Sequence, residues 1–277
     1  MPHPPQESGE DLDAPDVDAP STPVTRAEPA GRTEPATPPT EDPEAADPVP
    51  WRPRDALWVF LLWWGAQIAA GVLYLALGGD EVDEDLTLGI FTLVPQVLLL
   101  GLTALWVASR SATGIRRLIG KRRPTVRDAW AGLWHGLAAL VLVNGVMALL
   151  IELLAGALGR ELPQVQEGLQ EVTRSPEAAP VALVGIILFA PVAEELFFRG
   201  MLQSALRRRL HAWPAIGLAA VAFALVHVEP LAVLLTFPLG LYFGRLYHRR
   251  QNIVAPVVAH LVFNASGVIL IRVGLPG

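Results

Sequence analysis

Hydrophobic residues fall along this chain in long unbroken blocks, separated by short charged stretches, rather than in the alternation that builds strands. A helix that crosses a bilayer needs about 20 mostly apolar residues. Blocks of that kind run from about Ala56 to Leu77, from Leu86 to Val107 and from Ala129 to Leu154, and a fourth starts near Val181. Shorter or interrupted blocks follow at about Pro214–Val228, Leu231–Tyr247 and Ile253–Ile271. The pattern predicts an all-α fold, a polytopic transmembrane helical bundle of about seven spans. Between the third and fourth blocks, Leu162, Val165, Leu169 and Val172 recur at helical spacing among Gln and Glu, which suits either a helix lying on the outer membrane surface or a short solvated connector.

Composition divides the chain into unlike parts. Residues 1–50 hold 13 of the 25 prolines and 12 of the 27 acidic residues against two arginines, Arg26 and Arg32, a net charge of −10. Such a segment cannot bury enough apolar surface to fold, and it predicts a disordered Pro/acid-rich tail. Residues 51–277 form the expected membrane domain, and the tail dilutes the mean hydropathy of +0.41. With no cysteine, disulfides, thiolate metal sites and cysteine nucleophiles are excluded.

Loop charge orients the spans. Asp80-Glu-Val-Asp-Glu-Asp85 joins the first two without a base. Arg110, Arg116, Arg117, Lys121, Arg122, Arg123 and Arg127 lie between the second and third, and further basic clusters occur at Arg207–Arg209 and at Arg245, Arg249 and Arg250. Alternating spans put these clusters on one side, which the positive-inside rule makes cytoplasmic. The expectation is an integral, multi-pass cell-membrane protein with a cytoplasmic amino terminus. Trp51, Trp58, Trp106, Trp130, Trp134 and Trp213 fall near span ends, as interfacial anchors do.

Ionisable residues then break the apolar pattern in three places. Glu194 and Glu195 interrupt the fourth block, and His227 and His260 occur in later ones. Intramembrane ionisable groups cost a few kcal/mol each and mark functional sites by default. At ~1.5 Å per residue, Glu194 is ~20 Å in from Arg207, His227 ~24 Å from His211 and His260 ~15 Å from Arg250, all within the ~30 Å hydrocarbon layer. Glu195 and Arg199 are four apart with the acid first, the favourable order for an ion pair on one helix face. Glu194 points roughly 100° away and keeps no basic neighbour at three or four positions. Pro191 removes a backbone donor and should bend the helix just before it. His260 and Asn264 share a face and could donate to a developing oxyanion. Phe223 should pack beside His227, four residues on. A carboxylate lifted toward neutrality by burial, with an imidazole, can hold and deprotonate water. Taken singly, each of these residues also suits plain structural pairing. His135, one turn into the third block, reads as interfacial or packing.

The motifs Glu194-Glu195-Leu-Phe-Phe-Arg199, Phe223-Ala-Leu-Val-His227 and His260-Leu-Val-Phe-Asn264 resemble the E-E-x-x-x-R, F-x-x-x-H and H-x-x-x-N/D motifs of the CPBP family. That family comprises intramembrane glutamic endopeptidases related to the type II CAAX prenyl endopeptidase, with bacterial relatives linked to bacteriocin self-immunity. The resemblance covers about residues 180–273, the expected catalytic core, and rests on three motifs in order inside apolar blocks. It implies that Glu194 activates water with help from His227, that His260 and Asn264 stabilise the tetrahedral intermediate, and that Glu195 and Arg199 support them. Phe223 belongs with the supporting residues.

The expected function is an intramembrane endopeptidase without a cofactor, acting on a membrane-associated peptide or protein within the lipid bilayer, with no nucleic-acid partner. A cytoplasmic partner of the acidic tail is a further expectation. The alternatives are a non-catalytic membrane scaffold or regulator, a proton-relaying transporter, and a zinc peptidase using Glu194, His227 and His260. The zinc reading lacks the H-E-x-x-H signature on one helix.

Overall fold

The computed structural model describes residues 49–78, 84–159 and 178–273. The expected tail, most of the acidic loop after the first span and the expected surface helix or connector around residues 162–172 lie outside them. Among the described residues the structure is helical, apart from an isolated antiparallel bridge between Gly120 and Asn252.

Helix α1 (Pro53–Ala76) packs on α2 (Glu84–Arg110), and the short α3 (Gly114–Ile119) follows. A proline opens α1, where a missing N–H costs nothing, and Asp55 accepts from the Arg52 N–H at 2.7 Å to close its first turn. Helix α4 (Val126–Ala139) continues through a π-helical turn, Leu140–Asn144, into α5 (Gly145–Leu158). The run from residue 178 to 206 is likewise continuous. It links α6 (Ala178–Val184), a π segment Gly185–Phe189, α7 (Ala190–Glu195), a second π segment Leu196–Gln203 and α8 (Ser204–Leu206). Helices α9 (Ala212–Leu225), α10 (Pro230–Arg250) and α11 (Val254–Arg272) complete the bundle.

Five of these rods are long and apolar enough to cross a membrane: Pro53–Ala76, Gly89–Arg110, Ala179–Leu206, Pro230–Arg250 and Val254–Arg272. The expected count of about seven is thus not reached among the described residues. The block at Pro214–Val228 becomes a 14-residue helix, α9, too short to span at 1.5 Å per residue. The block at Ala129–Leu154 lies within the α4–α5 run, outside the set of five. Leucines and valines exposed along α1, α2 and α5 give the bundle the apolar exterior that a bilayer, and not water, tolerates.

Two apolar clusters organise the interior. One joins α1, α2, the α6–α8 rod and Phe223, with Trp51, Val59, Phe197 and Met201 fully buried or nearly so. The other joins α4, α10 and α11 through Ala139, Phe243, Ala255 and Ala259. Small residues permit the close approaches. A Cβ on Gly132 would sit 2.6 Å from the Ala255 carbonyl oxygen, and one on Gly136 2.6 Å from that of Ala259, so α4 lies against α11 backbone to backbone. Trp51 departs from its expected anchoring role. It is fully buried, and its indole Nε1 donates to the Met201 carbonyl at 3.0 Å, an apolar ring with a satisfied donor. Trp58, Trp130 and Trp213 are more than half exposed, as anchors should be.

Candidate active site

The two glutamates sit in the last turn of α7, between two π segments. Pro191 opens that α-helical turn, and the π segment before it is where the ladder absorbs the missing donor. The bend expected at Pro191 is expressed as a change of helix type. Local π geometry of this kind recurs at functional sites because it re-aims side chains without ending the helix.

Glu195 and Arg199 form the ion pair that their spacing predicts. Arg199 Nη1 donates to Glu195 Oε1 at 2.7 Å, and both side chains are at most 1% exposed. Arg199 Nη2 also donates to the Gly240 carbonyl at 3.3 Å, and the guanidinium lies 4.4 Å from the centre of the Phe223 ring. A buried guanidinium is tolerable only when paired and hydrogen-bonded in this way. Gln203, one turn further, repeats the pattern by donating to the Gly244 carbonyl at 3.0 Å. Glycines at 240 and 244 make both carbonyls reachable. A Cβ on Gly240 would meet Ala220 Cα at 2.9 Å, and one on Gly244 would meet Gln203 Oε1 at 2.9 Å.

His260, on α11, lies between the two carboxylates. Its Nδ1 is 3.0 Å from Glu195 Oε1 and its Nε2 is 3.9 Å from Glu194 Oε2. An ionised carboxylate only accepts, so Nδ1 carries the proton and Nε2 is turned toward Glu194. The 3.9 Å separation exceeds a direct hydrogen bond. Glu194 is the more accessible carboxylate, its side chain 14% exposed against 0% for Glu195. Among the described residues Glu195 Oε2 has no hydrogen-bond partner.

Phe223 is the common wall. Its ring centre is 5.2 Å from that of His227 and 5.9 Å from that of His260, and Phe243 closes the far side of His260 at 5.3 Å. His227 is not within a span. It occupies the turn after α9, because Glu229 caps and Pro230 opens the next helix, and Val228 takes a left-handed φ of 57° to make the corner. There His227 Nδ1 is held 3.0 Å from the Phe223 carbonyl, which fixes that nitrogen as the donor and leaves Nε2 with its lone pair.

Asn264 does not meet His260 across a shared hydrogen bond. Its Nδ2 donates to the Ile186 carbonyl in the first π segment at 2.9 Å, tying α11 to the rod that carries the glutamates. The structure therefore brings Glu194, Glu195, Arg199 and His260 together, sets Phe223 against Arg199 and His260, and places His227 on the Phe223 ring, with Asn264 one turn along α11. Sequence reasoning missed Gln203, Gly240 and Gly244. Gln203 four residues after Arg199 and the G-x-x-x-G spacing on α10 were the signals. His135, read as interfacial or packing, packs on α10, its Nδ1 2.6 Å from the Tyr242 hydroxyl.

Comparison with known proteins bears on the same segment. Residues 176–266 match the family model of the type II CAAX prenyl endopeptidase Rce1-like proteins. That segment resembles the CPBP family. The "Putative membrane peptidase YdiL" of Bacillus subtilis (strain 168) is 30% identical over 120 residues, which is 43% of this chain and 48% of that protein. The chain thus spans about half the length of the curated relative it matches. No solved structure matches. The matched stretch includes every residue of the three motifs, and the apolar rods make the chain an integral membrane protein.

Proposed function

We propose that this protein is an intramembrane endopeptidase that hydrolyses a peptide bond with a water activated by Glu194, and that residues 180–273 are its catalytic core. The observation that carries this reading is the asymmetry of the adjacent carboxylates. Glu195 is neutralised by direct contact with Arg199, while Glu194 faces His260 Nε2 at 3.9 Å and, among the described residues, makes no ion pair with an arginine or lysine. Water held between that carboxylate and imidazole would give a proton to Glu194 as its oxygen attacks the scissile carbonyl. His227, its Nε2 lone pair free, helps to hold the water. His260, positioned by Glu195, accepts from the water at Nε2, the Asn264 amide stabilises the oxyanion with its second N–H, and the proton on Glu194 passes to the leaving amine.

The surroundings support a membrane peptide as substrate. An apolar cavity of about 350 Å3 is lined by Phe60, Trp64, Phe197, Phe198, Leu225 and Val226, next in sequence to the glutamates and to His227. Phe198 packs edge-on against Phe223 at 5.2 Å, so one aromatic ring separates that cavity from the polar centre. The cytoplasmic placement of the basic loops remains part of this proposal, as does action without a metal.

Terminal-peptide proteomics of membranes from cells carrying the wild-type or the Glu194→Gln chain tests the reading. New peptide termini present only with the wild type are expected. Identical terminal profiles, with both chains equally abundant in the membrane, would overturn it. Activity surviving thorough chelation separates glutamate-activated water from the zinc variant. A cellular phenotype fully supported by Glu194→Gln would instead favour a non-catalytic scaffold.

A further inference from the structure

Outside the motif segment, the connection between α2 and α4 concentrates positive charge. Arg116, Lys121, Arg122 and Arg123 are exposed and, with Ile115 and Ile119, line an open cavity of about 630 Å3. This cradle is firmly built. A Cβ on Gly114 would sit 2.2 Å from the Val107 carbonyl oxygen, so α3 is pressed on α2. Leu118 is buried, and its carbonyl oxygen lies 2.6 Å from where a Gly200 Cβ would be, so α3 also rests on the rod carrying Arg199.

The loop after α3 is stapled in turn to the α10–α11 corner. Ile253 N donates to the Ile119 carbonyl at 2.8 Å, and Arg122 N donates to the Gln251 carbonyl at 3.0 Å. Gly120 makes this possible with a φ of 136°, where a side chain would strike Asn252 Cα at 2.5 Å.

Position and chemistry together select the ligand. Helix α2, one of the five rods of spanning length, ends at Arg110, so the cradle begins where that rod leaves the apolar layer. Trp130 and Trp134, 58% and 65% exposed on α4, which follows the cradle in the chain, are of the residue type that anchors at such an interface. Ile115 is 42% exposed beside the cations. A soluble anion would satisfy the guanidinium groups and leave the isoleucines in water. A lipid with an anionic head group meets both, its phosphate on the arginine forks and the start of its acyl chains on the isoleucines.

We infer that the α3 cradle is a binding site for the head group of an anionic phospholipid. Each basic residue near a membrane surface strengthens attraction to anionic lipid by roughly fivefold, so three act by on the order of a hundredfold. The staples to Gly200 and to the turn before α11 connect this site to the elements that hold Arg199 and His260.

The test uses the whole chain and measures retention of phosphatidylglycerol and phosphatidylcholine by native mass spectrometry after extraction from mixed vesicles. Wild type should retain phosphatidylglycerol selectively. The Arg116→Gln/Arg122→Gln/Arg123→Gln variant should lose about a hundredfold in affinity for it. The corresponding triple lysine variant should keep most of the selectivity, and unchanged helical circular dichroism would show that both variants fold. Equal retention of the two lipids by wild type, or selectivity untouched by the glutamine changes, would overturn the inference. So would inorganic phosphate displacing phosphatidylglycerol at millimolar concentration, which would identify a soluble-anion site. Selectivity that emerges only when Glu41, Asp42, Glu44 and Asp47 are neutralised would assign the cradle to the chain's own acidic segment and also refute it.

Discussion

Replacing Arg199 with methionine tests how the buried polar centre is held together. The side chain is 1% exposed, donates to Glu195 and to the Gly240 carbonyl, and covers the face of Phe223. Without it the Glu195 carboxylate, 0% exposed, keeps only His260 Nδ1 as a partner, and its second oxygen already has none among the described residues. Breaking a buried pair by removing one member costs roughly 3–5 kcal/mol, because the remaining charge is left uncompensated. For a chain of this size that is a fall in thermal midpoint of roughly 6–20 °C. The Glu195→Gln/Arg199→Met double variant should recover most of the loss, since it removes both charges and keeps the volume. Midpoints of the three proteins in one detergent, followed by tryptophan fluorescence, decide the matter. A single variant that loses less than about 1 kcal/mol, or a double variant no more stable than the single, would refute the reasoning.

Other consequences follow from particular contacts. Gly240→Ala sets a methyl 2.9 Å from Ala220 Cα, where backbone must yield, so it should cost about 1–3 kcal/mol in the same unfolding assay. Phe223→Leu removes the ring that Arg199, His227 and His260 share, and should lower the midpoint by an amount equivalent to about 1–3 kcal/mol as well as slow cleavage. At the start of α4, burial raises the pKa of the Asp128 carboxyl. The Thr125 side chain and backbone, Asn252 and Arg250 outweigh burial and hold it below the usual carboxylate range. Its contribution is therefore complete above the unfolded value of about 3.9 and is lost as pH falls through the lower folded value. The stability gap between wild type and Asp128→Asn should be widest near neutrality and should close on acidification below about pH 4, read from midpoints at both pH values.

Local relationships were the most legible. The Glu195–Arg199 pair and the Phe223–His227 contact follow from four-residue spacing, and each appears in the structure. The all-helical membrane bundle follows from the apolar blocks. What spacing along one helix cannot reveal is how separate helices meet. His260 between the two carboxylates depends on where α11 lies, and Asn264 binding Ile186 depends on the same placement. Length misled the reading at His227. The apolar run through Val228 looked like a span, yet Glu229-Pro230 is a helix-start signal that ends it in a turn. Trp51 misled in another way, since an aromatic near a span end anchors at the interface only when no interior pocket takes it. Here the Met201 carbonyl satisfies its indole inside the core.

Hydrolysis in heavy-oxygen water measures the central chemistry directly, using a membrane peptide found to be cleaved by the wild-type chain. The account predicts one heavy oxygen in the newly formed carboxylate. It also predicts no product from Glu194→Gln, with that variant's thermal midpoint unchanged or raised. Full product from Glu194→Gln, or a new carboxylate carrying no oxygen from solvent, would contradict it.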